Sequence, residues 1–446
     1  MKIVIAGAGD LGFHLAELLS YENQNITLID NNQDVLDYAA THLDVLTIKG
    51  DASSIEILEE AGANTAHLVL AVTTSETTNL VTAALAKKIG AHSTVARVSN
   101  PEYTLEEHRT LFEELGIDSI FSPVQLAAKE IKRLIQRCSL TDIFEFENGK
   151  IVLTGITLSS NSPLLNRPIR ELKELHSNVS VQLIAIQRGH ITIIPSGDVV
   201  LKRNDHIYFI TENKNVDEVE NLVGAQKVKV RDIMILGGTM LGFETAKLLE
   251  EDYKITLIES NKDRCKFLAE NLLHALVING KSDNIDLLQQ EGIGDMDAFI
   301  ALTNNAETNI IASLTAKNNG VFKTIAQVEN KEYTRISQDI GVDTLINKKL
   351  IAANNIFRFV RKGRVKAITG LHGVDAEVIE FVVTKNSKMT RVPLKFLNFP
   401  KTAIIGGVIR GEESLIPDGN FQIELNDKVV VFALPEAIAK VEKMFH

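Results

Sequence analysis

Short apolar runs separated by helix-forming segments dominate the pattern of hydrophobic and polar positions in this chain. The first half contains five such runs, namely "KIVIAG", "NITLID", "DVLTIKG", "HLVLAV" and "STVARV". Strands that alternate with helical stretches are typical of a parallel sheet with crossover helices. The pattern therefore predicts a doubly wound α/β domain at the start of the chain.

The pattern changes after this domain. The later runs "KIVLTGITL", "VSVQLIAIQRG", "HITIIP" and "DHIYFI" are rich in β-branched residues and are broken by Gly, Pro and Asn. One helix-like segment, "PIRELKEL", lies among them. We expect this part to form a small α+β lobe.

The whole pattern then repeats. Gly237 stands 230 positions after Gly7, and at the same offset "AVTTSETTNL" (71–80) matches "ALTNNAETNI" (301–310). Near the end of each half, "IPSGDVVLKRNDHIYFI" (194–210) matches "IPDGNFQIELNDKVVVF" (416–432). An in-register match along nearly the whole chain indicates an internal duplication.

The duplication predicts an α/β fold with two tandem Rossmann-like doubly wound domains, each followed by a small α+β lobe. The predicted boundaries are 1–122 for the first Rossmann-like domain, 123–143 for a crossover helix, 144–226 for the first small lobe, 230–347 for the second Rossmann-like domain, 348–362 for a second crossover helix, and 363–446 for the second small lobe.

The segment "SPVQLAAKEIKRLIQRC" (122–138) predicts the helix that joins the two lobes of the first half. Ser122 is suited to the N-cap and Pro123 to the first helical position. The apolar residues that can share one face are Leu126, Ile131, Leu134 and Ile135. The sequence leaves two alternatives open, a helix that packs on its own lobe and a crossover or dimerisation helix.

Composition excludes several classes of function. A net charge of −11 argues against a nucleic-acid partner, whose phosphates demand a basic surface. Two cysteines give neither a disulfide framework nor metal-ligand spacing, which fits a reduced cytosol. We also expect no signal peptide and no membrane span, since the N-terminus runs directly into a strand and long charge-free apolar windows are missing.

The turn Gly7-Ala8-Gly9-Asp10-Leu11-Gly12 follows the first predicted strand and begins a helix, as the G-x-G-x-x-G fingerprint requires. Gly7 permits the tight turn, Gly9 lets the backbone approach a pyrophosphate, and Gly12 packs the helix on the strand. The phosphates would then face the free N–H groups of the helix N-terminus. Residues 7–11 are therefore candidate nucleotide-binding residues.

Asp30 closes the second predicted strand, 18 residues after Gly12. A carboxylate at this position can accept two hydrogen bonds from a ribose diol and would repel a 2′-phosphate. The sequence therefore favours NAD(H) over NADP(H).

Further candidates follow later strands, at the carboxyl edge where such sheets bind ligands. They are Asp51, Thr73, Thr74 and Arg97, with Glu76 and Asn79 close by. Asp51 can accept from an adenine amino group or simply cap the next helix. The threonines can cap a helix or reach a ribose or phosphate, and Arg97 can pair with a phosphate or with a surface acid.

The second half retains the strand, turn and helix of this element but replaces several of its candidate ligand-binding residues. Its equivalent candidates are Gly237, Gly238, Thr239, Met240, Leu241 and Glu259. Thr239 replaces Gly9, which disfavours close approach of a pyrophosphate, while Lys281 replaces Asp51 and Gln327 replaces Arg97. We expect the first half to hold the tighter site.

Catalytic chemistry is sparse in this sequence. A dehydrogenase needs an acid or base beside its substrate. His190 and His206 lie in strand-like runs, have no histidine counterpart in the second half, and show no catalytic constellation nearby. The sequence predicts a nucleotide receptor rather than an enzyme; the alternative is an NAD-dependent oxidoreductase with an unrecognised substrate lobe.

The series "GAGDLG", Asp30, "GDAS", "TTSETTN" and "AR", followed by "IPSGD" and "ND" in a small lobe and then repeated, resembles the TrkA family. These are cytosolic regulatory subunits of Trk potassium-uptake systems, with two RCK (regulator of potassium conductance) modules in tandem. The resemblance implies a peripheral, non-enzymatic protein that binds NAD(H), and in some members ATP or ADP. Asp10 departs from the family pattern, since an acid in the phosphate turn disfavours a highly charged triphosphate.

The resemblance also implies how such a protein would act. It implies docking from the cytoplasm on a membrane potassium-transporting subunit such as TrkH, and attachment to the inner face of the membrane through that partner. Identical modules favour a symmetric ring, which for this family is expected to be a homotetramer.

Overall fold

The computed structural model describes residues 1–20, 24–147, 149–171, 180–189, 191–225, 228–281, 284–329, 341–360, 365–370, 376–385 and 388–445. The chain divides into two compact units. The first comprises Met1–Lys129 and Asn347–Val360, and the second comprises Glu130–Ile346 and Arg361–His446.

The first unit contains a six-stranded parallel sheet with the order β3-β2-β1-β4-β5-β6. Its strands are β1 (Lys2–Ala6), β2 (Asn25–Asp30), β3 (Leu46–Lys49), β4 (Leu68–Ala71), β5 (Ser93–Arg97) and β6 (Ser119–Phe121). Its helices are α1 (Asp10–Ser20), α2 (Gln33–His42), α3 (Ile55–Glu60), α4 (Glu76–Ile89) and α5 (Arg109–Glu114), followed by α6 (Pro123–Gln136). This order confirms the predicted Rossmann-like fold.

Burial on both faces explains why the strands read as continuous apolar runs. Ile3, Val4 and Ile5 of β1 are all fully buried. Helix ends are set by local chemistry, as the N-cap Ser75 of α4 accepts from the Thr78 amide and the helix stops at Gly90, whose φ is +132°.

The first small lobe is an antiparallel sheet with the order β10-β9-β11-β8-β7. It consists of β7 (Asp142–Phe146), β8 (Ile151–Thr157), β9 (Val181–Arg188), β10 (Ile191–Ile193) and β11 (His206–Glu212), followed by α7 (Val216–Val223). The pattern did not predict β7. Of the helix-like segment "PIRELKEL", residues 169–171 form a 3₁₀ turn and residues 172–175 lie outside the described part of the chain.

The second Rossmann-like domain repeats the first, with the strand order β14-β13-β12-β15-β16-β17. Its strands are β12 (Asp232–Leu236), β13 (Lys254–Glu259), β14 (Leu276–Asn279), β15 (Ala298–Ala301), β16 (Lys323–Gln327) and β17 (Thr344–Ile346). The helices are α8 (Met240–Leu249), α9 (Lys262–Asn271), α10 (Ile285–Gln290) and α11 (Ala306–Asn318), followed by α12 (Lys348–Val360).

The second small lobe has the order β18-β19-β22-β20-β21, the same topology as the first. It comprises β18 (Val365–Gly370), β19 (Glu377–Val382), α13 (Lys388–Arg391), β20 (Ala403–Arg410), β21 (Glu413–Leu415), β22 (Lys428–Ala433) and α14 (Pro435–Phe445). The two small sheets share one hydrophobic core, in which Tyr208 and Ile210 pack with Val378 and Phe432.

The repeated "ND" of the small lobes has a structural explanation. Asn204 adopts a left-handed conformation with φ of +64°, and the next residue, Asp205, is buried. The Asp205 carboxylate accepts two hydrogen bonds of 2.7 Å from the guanidinium of Arg188. Asp427 and Arg410 repeat this bidentate pair at 2.8 and 2.9 Å, so the motif fixes the same loop in both lobes.

The joining helix α6 is capped at its start and contacts the second repeat with its last turns. Ser122 accepts from the Gln125 amide at 3.4 Å, and the buried face of the helix includes Ile131. Beyond residue 130, Lys132 donates to the carbonyl oxygen of Leu248 at 3.0 Å and pairs with Asp252 at 3.3 Å. The last turns of α6 therefore pack on the second Rossmann-like domain.

Candidate functional site

The sequence-predicted residues of the first half lie along one edge of the first sheet. Because the strands are parallel and in register, Ala6 lies beside Ile29 and Ala71, and Asp30 lies beside Lys49. The residues that follow these strand ends meet at the carboxyl edge, where doubly wound sheets bind ligands. This edge includes Gly7, Asp30, Asp51, Thr73, Thr74 and Arg97.

The glycine-rich turn leaves an open space above the helix N-terminus. Gly7 has φ of +104°, and a Cβ there would lie 2.9 Å from the Thr73 Cα. A Cβ on Gly12 would overlap the carbonyl oxygen of Gly7, so this glycine lets helix and turn approach. A Cβ on Gly9, in contrast, would meet no described heavy atom within 4 Å. Gly9 is therefore unobstructed directly before the first residue of α1, and helix N-termini attract anions.

Asp30 connects the turn to the end of β2. Its Oδ2 accepts from the Ala8 amide at 2.7 Å, and its Oδ1 accepts from the Asn32 amide at 2.9 Å. Each carboxylate oxygen can accept a second bond. The same carboxylate can therefore hold the turn and receive a ribose hydroxyl.

Asp51 lies in the loop after β3 rather than at the N-cap of the next helix. The N-cap of α3 is Ser54, and the Asp51 carboxylate accepts from the Ser53 amide at 2.9 Å and from the Ser53 hydroxyl at 2.7 Å. These hydrogen bonds hold the pKa of the Asp51 carboxyl below its usual value. Asp51 is an exposed, ionised acceptor at the sheet edge.

Thr73 belongs to a clamp that links the ends of β4 and β5. Its amide and its hydroxyl donate to Oδ1 of the buried Asn79, at 2.8 and 2.7 Å. The Asn79 amide group donates in turn to the carbonyl oxygens of Thr73 and Arg97. Thr74 is exposed beside this clamp. Asn79 therefore fixes the loop backbone that shapes the edge.

Glu76 has a similar role at the start of α4. Its Oε2 accepts from the amides of Ser99 and Asn100, both at 2.9 Å. The loop after β5 is thereby tied to the helix that follows β4.

Asp10, the first residue of α1, forms an ion pair with Lys349. Lys349 lies in the first turn of α12, which belongs to the same compact unit as α1 although it comes from the second repeat. The acid that the sequence places in the phosphate turn is therefore partly neutralised. No sequence motif indicates this contact.

The second turn keeps the backbone of the first but is closed by its own side chains. Gly237 again has φ of +104°, and the Gly238 amide donates to Glu259 at 2.7 Å. Thr239 caps α8, since its hydroxyl accepts from the Gly242 amide at 3.2 Å and donates to the Leu302 carbonyl at 2.9 Å. The side chain thus takes an N–H group that an anion would use.

Arg264 also contacts the second turn, which the sequence did not predict. Its Nε donates to the Gly238 carbonyl oxygen at 2.7 Å, and its guanidinium lies 4.5 Å from the centre of the Phe267 ring. The matching residue of the first half is Asp34. Met240 is exposed, Leu241 is buried, and Lys281 is exposed at the same edge. Gln327 is buried and donates to Glu329 at 3.2 Å.

His206 has side-chain partners that the sequence did not indicate. His206 lies in a hydrogen-bonded row, with Nδ1 2.8 Å from the Thr157 hydroxyl and Nε2 3.0 Å from Asp142 Oδ2. Burial raises the pKa of Tyr208, whose hydroxyl also approaches Asp142 at 3.5 Å. The row is brought together by strand pairing across β7, β8 and β11, which sequence spacing does not reveal. His190 lies outside the described residues.

In the part of the chain that the structure describes, none of the helices has the length and apolar character needed to cross a bilayer. Among the same described residues, no group of three His, Cys, Asp or Glu side chains is placed to hold a metal ion.

Family models match both repeats. The TrkA-N domain matches residues 3–123 and 233–348, and the TrkA-C domain matches residues 153–224 and 378–446. Together they account for most of the chain.

Relatives of similar length carry the same pattern throughout. The chain is 34% identical over 448 residues to the Trk system potassium uptake protein TrkA homolog of Archaeoglobus fulgidus, with 100% of both chains covered. It is 33% identical over 454 residues to TrkA homolog 1 of Methanosarcina mazei, again with 100% of both covered. It is 32% identical over 452 residues to TrkA of Vibrio alginolyticus, covering 100% of this chain and 98% of that protein.

Solved structures confirm the RCK fold. The GsuK RCK domain superposes with a TM-score of 0.61 at 14% identity, covering 100% of this chain and 94% of that one. The GsuK channel bound to NAD gives a TM-score of 0.62 at 14% identity, covering 100% and 78%. With two TrkA-N and two TrkA-C domains in tandem and full-length relatives above 30% identity, the chain belongs to the TrkA family.

Proposed function

We propose that this chain is a regulatory subunit of a potassium-uptake system and that it binds NAD(H) at the first glycine-rich turn. The observation that carries the proposal is the unobstructed position of Gly9 in a turn whose Ala8 amide donates to Asp30, in a chain whose full-length relatives are named potassium uptake proteins. The structural neighbour GsuK is described as bound to NAD, which supports a dinucleotide in this fold.

In the proposed site each group has a distinct role. The backbone N–H groups of residues 8–11 hold the pyrophosphate at the positive end of α1. Asp30 accepts the ribose hydroxyls, and Asp51 accepts from the adenine amino group. Thr73, Thr74 and Arg97 complete the edge, where Arg97 supplies a cation for a phosphate. ATP and ADP share the adenosine and are the proposed alternative ligands.

The second turn is proposed to bind nucleotide more weakly. Its residues Gly237, Gly238, Thr239, Met240, Leu241 and Glu259 retain the strand, turn and acid. The Thr239 hydroxyl accepts a hydrogen bond from an N–H group of α8, and the Arg264 guanidinium donates to the Gly238 carbonyl oxygen. A ligand would have to displace both contacts.

Regulation is proposed to act through a TrkH-like membrane subunit, on which the chain docks from the cytoplasm as a homotetramer. A ligand shifts a two-state regulator only by the difference between its affinities for the two states. Helix α12 comes from the second repeat and belongs to the unit of the first turn. The second small lobe follows α12 along the chain, so we propose that ligand binding at the first turn affects both repeats through this helix.

The decisive experiment combines binding with transport. The purified chain is titrated with NADH by calorimetry, and absorbance of NADH is followed for turnover of NADH with small 2-oxo acids and of NAD⁺ with small 2-hydroxy acids. Potassium uptake is measured in cells that carry the candidate transport subunit with wild-type chain, Gly9→Ala chain, or none. Stoichiometric binding without turnover, and uptake that depends on the chain and on Gly9, are expected. Sustained NADH oxidation, or uptake indifferent to the chain, would contradict the proposal.

A further inference from the structure

We infer that Lys349 is a phosphate-binding residue of the first nucleotide site, contributed by the second repeat. The inference rests on the proposed function, because it concerns how the same turn recognises a phosphorylated ligand. It assigns to α12 a direct part in binding, beyond its part in joining two lobes.

Position is the first argument. Asp10 directly follows Gly9, whose surroundings are open, and it is the first residue of α1. The Lys349 ammonium pairs with this carboxylate, so the cation is held by the residue that directly follows Gly9. The lysine side chain is 28% exposed, whereas Asp10 is 76% exposed. The lysine is therefore held along the protein surface while the carboxylate stands in solvent.

Charge is the second argument. An aspartate beside the turn repels the two negative charges of a pyrophosphate, and an ammonium on that aspartate removes the repulsion. A lysine ammonium has three donors with no fixed plane, so it can donate to the Asp10 carboxylate and to a nearby phosphate at the same time.

The placement of Lys349 in its own helix is the third argument. Lys348 and Lys349 open α12, where the helix dipole disfavours positive charge. A lysine at this position carries a local cost, which a negatively charged partner offsets. Asp10 provides that partner in the described structure, and a phosphate would provide it in the complex.

The second repeat offers a comparison. Its counterpart of Asp10 is Met240, an exposed apolar side chain at the first position of α8. The turn that has Gly9 thus also has Asp10 and its partner Lys349. The turn that is capped by Thr239 has no acid at the corresponding position. This is the pattern expected if the pair serves an anionic ligand.

The test measures dissociation constants of the full chain for NADH, ADP and adenosine. The variants are Lys349→Met, Asp10→Asn, the double variant, and Lys349→Arg as the conservative change. Lys88→Met is the charge-matched control, because Lys88 is exposed in the last turn of α4, away from the carboxyl edge. Thermal unfolding of each variant verifies that it is folded.

Lys349→Met is expected to weaken NADH and ADP binding roughly ten-fold, the loss of one charge-assisted contact, and to leave adenosine binding unchanged. Lys349→Arg retains most of the affinity, and Lys88→Met retains all of it. In the double variant, phosphate ligands still bind more weakly than to Asp10→Asn, because the lysine contact itself is lost.

Three results would overturn the inference. They are equal NADH affinity in wild type and Lys349→Met, an equal loss for adenosine, and a double variant that matches Asp10→Asn. In each case wild-type binding of NADH leaves the proposed function intact. A wild-type chain that binds none of the three ligands would refute both.

Discussion

The two glycine-rich turns have the same backbone conformation, but only the second is capped by its own side chain. Gly7 and Gly237 share a φ of +104°, and in both turns the acid after the second strand accepts from the turn amide at 2.7 Å. The turns differ where Gly9 leaves space and the Thr239 hydroxyl caps the helix.

This difference separates the proposed binding turn from a turn whose helix is capped by its own side chain. The first N–H groups of a helix need acceptors, which a ligand, water or a side chain can supply. In the second repeat a threonine supplies one permanently, and Arg264 bonds the Gly238 carbonyl oxygen. The fold is retained because strand, turn and acid still support one another, while the space for a ligand is reduced.

The largest expected effect is that of Gly9→Ala. A methyl group there meets no described protein atom, so the chain should fold normally, but it would stand where a pyrophosphate approaches. Overpacking of about 3 kcal/mol corresponds to roughly a hundred-fold loss of NADH affinity. Calorimetry measures the loss, and unchanged thermal unfolding serves as the control. Two equal sites in wild-type titrations would break the comparison.

A second contrast lies at the start of β16, where the second repeat has Lys323 and the first has Ser93. Lys323 is fully buried, and its ammonium donates to the Leu140 carbonyl at 2.6 Å and the Thr344 hydroxyl at 2.9 Å. Burial lowers the pKa of Lys323 to about 8, against the pull of Asp343 in the other direction.

The sign of its pH dependence follows from this pKa. Between pH 8 and 10.5 the unfolded chain holds the Lys323 proton more tightly than the folded chain, so this group makes stability rise with pH, by about 3 kcal/mol at most. Below pH 8 its contribution is constant. Urea midpoints across this window should show a smaller rise for Lys323→Met, while Lys254→Met, at an exposed lysine, should follow wild type. Parallel pH profiles for all three chains would contradict this prediction.

Asp30→Ala should have the next effect. It removes a charge-assisted acceptor for the ribose, which is worth about 1.5–3 kcal/mol or roughly ten-fold or more in NADH affinity. Glu259→Ala is the matched control in the second turn and should leave the NADH affinity of the first site unchanged. Competition with NADPH sharpens the comparison, because wild type should prefer NADH. Equal affinities for the two dinucleotides would refute the selectivity.

Thr239→Ala should have the smallest effect, and this effect should be on stability rather than on NADH affinity. Because the hydroxyl caps α8, its removal should cost about 1 kcal/mol of stability and lower the melting temperature. NADH affinity of the first site should not change. A loss of NADH affinity larger than that of Gly9→Ala would reverse the roles of the two turns.

Local pattern was sufficient to predict much of this molecule. The five apolar runs of the first half predicted β1 to β5 of its parallel sheet, because a buried parallel strand must be apolar on both faces, while the short β6 was not among them. The glycine spacing predicted the turn, because only glycine tolerates the φ of residue 7 and the close helix packing at residue 12. The match between halves predicted that the same topology would occur twice.

Contacts between distant segments were decided by tertiary structure alone. The Lys349–Asp10 pair joins residues more than three hundred positions apart, the row of Thr157, His206 and Asp142 depends on strand pairing, and Arg264 reaches its turn from the next helix. In each contact, the packing of the elements determines which side chains meet. The spacing of apolar residues along the sequence does not reveal these partners. The sequence determined the elements and their order, and packing determined which charges meet at the turn.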